Sequence, residues 1–262
     1  MDNRTVSISE KEIKIAELRQ NISGYNKCEG DSPECLVNVI AANDKYAPRG
    51  IGYWSDAYPN LCADLMIVGQ DWGSEGYLLN FSKSYDRLLS SVNNYWEDKN
   101  PTWENLMTYL GKAGFSSVEN SSNARLRFTN IYLTNAVLCL RKGDKITGDI
   151  NTQWIGNCFP FLKKQLDIIR PKIVATLGKK VFDVFSRHFG IPYQKFAEVA
   201  LKEHICRITD DEHRSYEVIL LPLYHTGYYG NLNRKKVSKA GKLTGDVIDD
   251  FMKLKTLVNK LS

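Results

Sequence analysis

LMIVGQDWGSEGY, residues 65–77, runs four apolar residues into a glycine, then a glutamine, an acid, a tryptophan and a second glycine. Leu65 to Val68 suit a parallel strand covered on both faces, because a strand with one face in water would alternate apolar and polar residues. Gly69 lets the backbone turn sharply where the strand ends. Asp71 is then expected to point out of the carboxyl edge of the sheet, the edge at which open α/β sheets take their ligands. On these residues alone, the stretch is either a binding loop or an ordinary strand-to-helix turn capped by Ser74.

Three further segments read as strands: NIYLTNAVL from Asn130, KIVATLG from Lys172 and EVILLPLYH from Glu217. Helical patterns lie around and between them. Residues 8–22 carry Ile13, Leu18 and Ile22 among charges, and SYDRLLSSVNNYW, TWENLMTYLGKAG, TQWIGNCFPFLKKQLDIIR and KKVFDVFSRHFG follow. GDVIDDFMKLKTLVNKLS closes the chain with Val247, Phe251, Leu254, Val258 and Leu261 at helical spacing. Strands alternating with helices predict βαβ units and a parallel, doubly wound sheet with right-handed crossovers. SSVENSSNARL from Ser116 and the loop holding CEGDSPEC read as surface connections.

At 262 residues, with no linker-like tract, the chain is expected to form one domain. An N-terminal helix and cysteine loop would cover about residues 1–61, the core about 62–240 and a packing helix about 245–262. Lys and Arg outnumber Asp and Glu by 35 to 30, which permits a polyanionic partner without requiring one. The opening MDNRTVSISEKEIKIAELRQ lacks an apolar signal core, and no run is long enough to span a bilayer, so a soluble, cytoplasmic protein without a membrane partner is expected. Six cysteines in that compartment point to thiols or metal ligands rather than disulfides.

Each strand ends in something polar or small: Gln70 and Asp71, Asn135, Gly178, His225. Parallel strands share one carboxyl edge, so an acid, an amide and an imidazole converge on one crevice. Taken singly, Asn135 reads rather as a satisfied core amide and His225 as a turn residue. Their convergence is what suggests a site.

VGQDWG, LTNAVLCLRKG, IRPKIVATLGKKVF and LPLYHTGYYGNLNR resemble, in order, the motifs of the uracil-DNA glycosylase superfamily over about residues 62–240. The resemblance implies a three-layer α/β/α sandwich with a central four-stranded parallel sheet, and base excision from DNA by a monofunctional glycosylase acting as a monomer. Breaking the bond between a sugar and a pyrimidine leaves a cation-like sugar and an anionic base. A catalyst therefore needs a carboxylate near the sugar and donors near the base oxygen. Asp71 matches the family's water-activating aspartate and His225 its oxyanion donor. Asn135 matches the asparagine that pairs with the edge of the flipped base, with backbone amides at Gln70 and Asp71 beside it. Phe81 is the candidate stacking surface, with Tyr77 and Tyr85 behind it. In the loop after His225, Tyr228, Tyr229 and Leu232 are candidate wedges, and Arg234, Lys235 and Lys236 candidate phosphate contacts.

The chain departs from the family at two places. The best-known branch continues its first motif with proline and a tyrosine that blocks the five-position of the base, whereas this chain has Trp72 and Gly73. Glycine removes that gate, so the target is either uracil or a pyrimidine substituted at its five-position. Trp72 would be either a new wall of the pocket or a stacking surface. His225, Thr226 and Gly227 replace the usual histidine-proline-serine. One branch also binds a four-iron, four-sulfur cluster through two early and two later cysteines. Cys139 and Cys158 fall at the later places, and Cys28 and Cys35 supply an early pair that is more widely spaced than usual. The cluster would be structural, since the hydrolysis needs no cofactor. Cys62 and Cys206 read as packing cysteines. Three readings follow: uracil excision in repair, excision of a bulky modified cytosine from phage DNA as an antiviral defence, and a non-catalytic DNA-binding module.

Overall fold

The computed structural model describes residues 8–23, 25, 36–37, 60–71, 101–115, 130–138, 140–141 and 152–261. Trp72, Gly73, Tyr77, Phe81, Tyr85, Cys28, Cys35, Cys139, the helical pattern from Ser84 and the loop from Ser116 lie outside the described residues. In chain order the described elements are α1 (Ile8–Ser23), β1 (Leu36–Val37), a 3-10 turn (Asn60–Cys62), β2 (Leu65–Gly69), α2 (Pro101–Lys112), β3 (Ile131–Asn135) and β4 (Leu140–Arg141). There follow α3 (Thr152–Ile169), β5 (Ile173–Leu177), α4 (Lys179–Phe189), α5 (Phe196–Val199), β6 (His204–Thr209), β7 (Ser215–Leu223), α6 (Tyr228–Lys239) and α7 (Val247–Leu261).

The main sheet has the order β3-β2-β5-β7-β6. Its first four strands run parallel, and all of β2, β3 and β5 is buried, as continuous apolar runs require. These are the four strands expected from the sequence. A fifth, β6, joins β7 antiparallel at the edge. Its alternation of buried Cys206 and Ile208 with exposed Ile205, Arg207 and Thr209 is that of a strand with one face in water.

Successive side chains of a strand point to opposite faces, and here they divide the core in two. Met66, Val68, Tyr132, Val174 and Leu220 pack with Leu18 of α1, Leu162 of α3 and Phe182 of α4. Leu65, Ile67, Leu133, Ala175 and Leu221 pack with Leu110 of α2 and Phe251 of α7. Helices thus cover both faces, which makes three layers. Of the expected apolar stripes, Leu18 and Ile22 are buried while Ile13 is exposed, and α7 buries Leu257 between Leu254 and Val258 whereas Leu261 is exposed. Among the described residues no helix is long and apolar enough to cross a membrane.

Candidate active site

Parallel pairing brings the ends of β2, β3, β5 and β7 to one edge, and with them Gln70, Asp71, Asn135, Gly178 and His225. Gly69 pairs with Asn135 in register. A Cβ at Gly69 would overlap Asn135 Oδ1, so the amide lies directly over the bare backbone of β2. Gly69 is not among the glycines with positive φ; its missing side chain serves this close approach, and the turn expected at the strand end is the bend at Gln70. Beyond the strand ends, the Ala136 N–H donates to Gly69 O at 2.8 Å and the Val137 N–H to Gln70 O at 2.9 Å, and the chain bends at Gln70 as it delivers a half-buried Asp71. Asn135 is 1% exposed, and its Nδ2 has no hydrogen-bond partner among the described residues. A buried amide donor without an acceptor is what a site kept for a ligand carbonyl requires.

His225 stands two residues past β7, on a turn packed between two glycines. At Gly178, whose φ is +93°, an added Cβ would sit 3.2 Å from His225 Cβ. The Gly178 N–H also donates to Leu223 O at 2.8 Å, locking the two strand ends together. On the other side, the Gly227 N–H donates to His225 Nδ1 at 3.0 Å. A nitrogen that accepts carries no proton, so the neutral ring holds its hydrogen on Nε2. Burial pushes the imidazole below its ordinary value, which favours that neutral form. His225 is therefore a neutral donor through Nε2.

The segment after His225, read from the sequence as a loop, is the helix α6. Tyr228, Tyr229, Leu232, Lys235 and Lys236 lie on its exposed face, with the Tyr228 and Tyr229 rings 5.3 Å apart, edge to face. Arg234 is a correction. It is 0% exposed, and its Nε and Nη2 each donate to the Asp250 carboxylate at 2.7 Å, with Nη2 also 2.7 Å from Thr244 O. Helical phasing turns this first residue of the RKK run inward, where it fastens α6 to α7 and is not available to a phosphate.

A family model described as the uracil DNA glycosylase superfamily matches residues 56–247, from just before β2 to the start of α7. The chain belongs to the uracil DNA glycosylase superfamily. It is similar to a protein of Sulfurisphaera tokodaii named type-4 uracil-DNA glycosylase, 27% identical over 128 residues that cover 48% of this chain and 50% of the relative. A protein of Archaeoglobus fulgidus with the same name is 23% identical over 117 residues, covering 45% of this chain and 55% of the relative. The chain thus spans about half the length of the curated relatives it matches.

Within this superfamily fold, Cys158 is buried on α3 in the core layer that α3 shares with α1 and α4. The short β1–β4 ladder pairs Leu36 with Arg141 and Val37 with Leu140. Leu36 directly follows Cys35 and Leu140 directly follows Cys139 in the sequence, so the ladder ties two cysteine-bearing segments together. Cys206 is buried and its thiol is pushed up to about 11 by burial, as befits a packing residue. Cys62 is exposed, so its reading as a packing cysteine is corrected.

Sequence reasoning missed the residues that hold the site. An added Cβ at Gly227 would stand 2.8 Å from Thr102 Oγ1, and one at Gly230 would overlap the His225 carbonyl oxygen. The glycine pattern TGYYG was the available signal, since two glycines flanking exposed tyrosines in a helix's first turn have no reason other than close approach.

Proposed function

We propose that the chain is a monofunctional DNA N-glycosylase that flips a pyrimidine out of DNA and hydrolyses its N-glycosidic bond. The observation that carries this reading is the convergence of Asp71, the unpartnered amide donor of Asn135 and a neutral Nε2 donor on His225 at one sheet edge. Superfamily membership and the names of the two relatives support it. Asp71 orients a water and stabilises the developing sugar cation. The water oxygen bonds to C1′, the C1′–N1 bond breaks, and its electron pair leaves with the base. The water proton passes towards Asp71 or solvent. Asn135 Nδ2 donates to a base carbonyl, and His225 Nε2–H donates to the oxygen on which charge collects, a contribution of about 10²- to 10³-fold. Tyr228, Tyr229 and Leu232 fill the vacated stack while Lys235 and Lys236 meet phosphates. Phe81 is the proposed stacking surface for the flipped base, and Trp72 a proposed wall or second stacking surface.

The target is uracil or a pyrimidine substituted at its five-position, as Gly73 in place of a blocking tyrosine suggests. That glycine also favours a second reading, excision of bulky modified cytosines from phage DNA. The deciding experiment incubates the protein with matched oligonucleotides carrying uracil, thymine or bulky five-substituted cytosines, then cleaves abasic sites with alkali. Breaks at uracil alone support repair, and breaks only at substituted bases support defence. No breaks with retained DNA binding would replace both by a non-catalytic module. Asp71→Asn and His225→Ala are each expected to abolish most of the excision.

The reading extends to a structural four-iron, four-sulfur cluster held by Cys28, Cys35, Cys139 and Cys158. Four thiols suit such a cluster, Cys158 is shielded from water, and the β1–β4 ladder joins the segments of Cys35 and Cys139. The cluster would staple the N-terminal segment to the core and takes no part in the hydrolysis. Anaerobically purified protein should be brown and contain iron, and Cys139→Ser with Cys158→Ser should abolish both. A colourless, iron-free preparation overturns the cluster.

A further inference from the structure

The peptide between Thr226 and Gly227 carries two hydrogen-bonding groups, and both bear on His225. Its N–H donates to His225 Nδ1 at 3.0 Å. Its carbonyl, Thr226 O, accepts from Asn105 Nδ2 of α2 at 2.8 Å and from Asn231 Nδ2 of α6 at 3.0 Å. Thr226 is itself 0% exposed, and its hydroxyl donates to Thr102 O in the first turn of α2 at 2.9 Å. A trans peptide is a rigid plane with C=O and N–H pointing in opposite directions. Whatever grips the oxygen therefore aims the hydrogen.

We infer that Asn105 and Asn231 are positioning residues that act through the Thr226–Gly227 peptide to fix the tautomer of His225. The inference rests on the reading of His225 as the oxyanion donor. Two amides drawing on one carbonyl polarise the peptide, which strengthens its N–H as a donor in the manner of a hydrogen-bond chain. The bond to Nδ1 then leaves the imidazole proton on Nε2, the atom that faces away from the turn. Without the grip on the oxygen the peptide plane can rotate, Nδ1 loses its donor and the proton divides between the two nitrogens.

The arrangement also ties two surfaces together. Asn231 belongs to α6, which also carries the exposed Tyr228, Tyr229, Leu232, Lys235 and Lys236. Asn105 belongs to α2, which is anchored in the core by Leu106 and Leu110. The Thr226 oxygen is thus where the helix that would meet DNA and the scaffold helix grip the same atom. Glycine at 227 and 230 lets them approach, because a side chain at either position would strike Thr102 or the His225 backbone.

The test compares wild type with Asn105→Ala, and with Asn105→Asp, which keeps the size but loses the donor. It reads the excision rate in a single turnover at saturating DNA, the DNA affinity, and the imidazole nitrogen NMR signals. The chain has four histidines, so His225→Gln identifies the relevant signals. Asn105→Ala is expected to lower the rate about tenfold with affinity changed less than about twofold, and to convert a single Nε2–H tautomer into a mixture. Asn105→Gln, which restores an amide donor, should recover part of the rate and of the tautomer signal. If Asn105→Ala fails to fold, Asn105→Asp carries the same comparison. An unchanged tautomer and rate in a folded Asn105 variant, alongside an inactive His225→Ala, overturns this inference alone. Full excision by His225→Ala overturns the donor reading beneath it.

Discussion

The amide oxygen of Asn135 occupies the space where a side chain on Gly69 would begin, so these two residues of neighbouring parallel strands are a single fitted unit. The last residue of β2 is the platform that seats the Asn135 amide at the end of the strand, with its buried Nδ2 lacking an acceptor among the described residues. Neither residue does this alone.

Gly69→Ala is therefore a mutation of Asn135. The methyl group drives the amide out of its seat in a buried, well-packed place, at a cost of about 1–3 kcal/mol in stability. Base recognition should suffer more than folding does. A urea titration is expected to show a folded, somewhat weakened protein, while inhibition by free uracil is lost to the same extent as in Asn135→Ala. Undiminished inhibition in Gly69→Ala would mean that the amide does not need this seat.

The burial of His225 makes a statement about pH. Burial lowers the folded-state value of His225, as it does for His188 and His204. The unfolded chain therefore takes up these protons first, near the ordinary value of about 6.5. The stability they contribute is fully present above that value and is lost as pH falls through and below it. Denaturant midpoints should drop between about pH 7 and pH 5, and His225→Gln should flatten part of that slope. The acid limb of excision that belongs to His225 should lie below the ordinary imidazole value, since the neutral Nε2 donor persists there. A limb at or above about 6.5 would contradict the buried, neutral imidazole.

Some of this was legible in the chain and some was not, for identifiable reasons. Continuous apolar runs ending in a polar or small residue marked β2, β3, β5 and β7, and the parallel rule alone gathered Asp71, Asn135 and His225 at one edge. The strand β6 escaped because HICRIT buries only alternate residues and carries an arginine between them. The helix α6 escaped because YYGNLNRKKVSK has no apolar stripe: its one fully inward residue is Arg234, a cation that shows its burial only once Asp250 is brought opposite. Apart from the two glycines of TGYYG, the glycines that make room and the asparagines that grip a carbonyl have no sequence signature of their own. For Asn105 the meaning comes from Thr226, 121 residues away.

Arg234 and Asp250 are 1% and 2% exposed along their side chains, so removing either leaves the other's charge buried and alone. Arg234→Ala should cost about 3–5 kcal/mol, and Asp250→Ala a similar amount. Replacing both together by Met and Leu should recover most of the loss, because a well-packed apolar pair of similar volume can equal a buried ion pair. Urea midpoints of the two single variants and the double variant check this. Equal losses in all three would mean that packing, and not the unpaired charge, sets the cost.

Lys235 and Lys236 directly follow Arg234 in α6 and are exposed, and their role separates cleanly from that of the buried arginine. A lysine that neutralises a phosphate releases counterions, so each one removed lowers the slope of log affinity against log salt by about 0.9 on duplex and about 0.7 on single strands. Lys235→Ala and Lys236→Ala should each weaken DNA binding at low salt, converge with wild type as salt rises, and leave the single-turnover rate at saturating DNA unchanged. Tyr228→Ala and Tyr229→Ala should behave differently. A wedge acts on the flipped state, so its loss lowers that rate and leaves the salt slope alone. The same titrations on duplex and single-stranded oligonucleotides decide the matter further: a wedge that holds open a stack matters on the duplex and little on a single strand, where the target base has no partner to leave. A salt slope untouched by both lysine variants would remove α6 from the DNA interface.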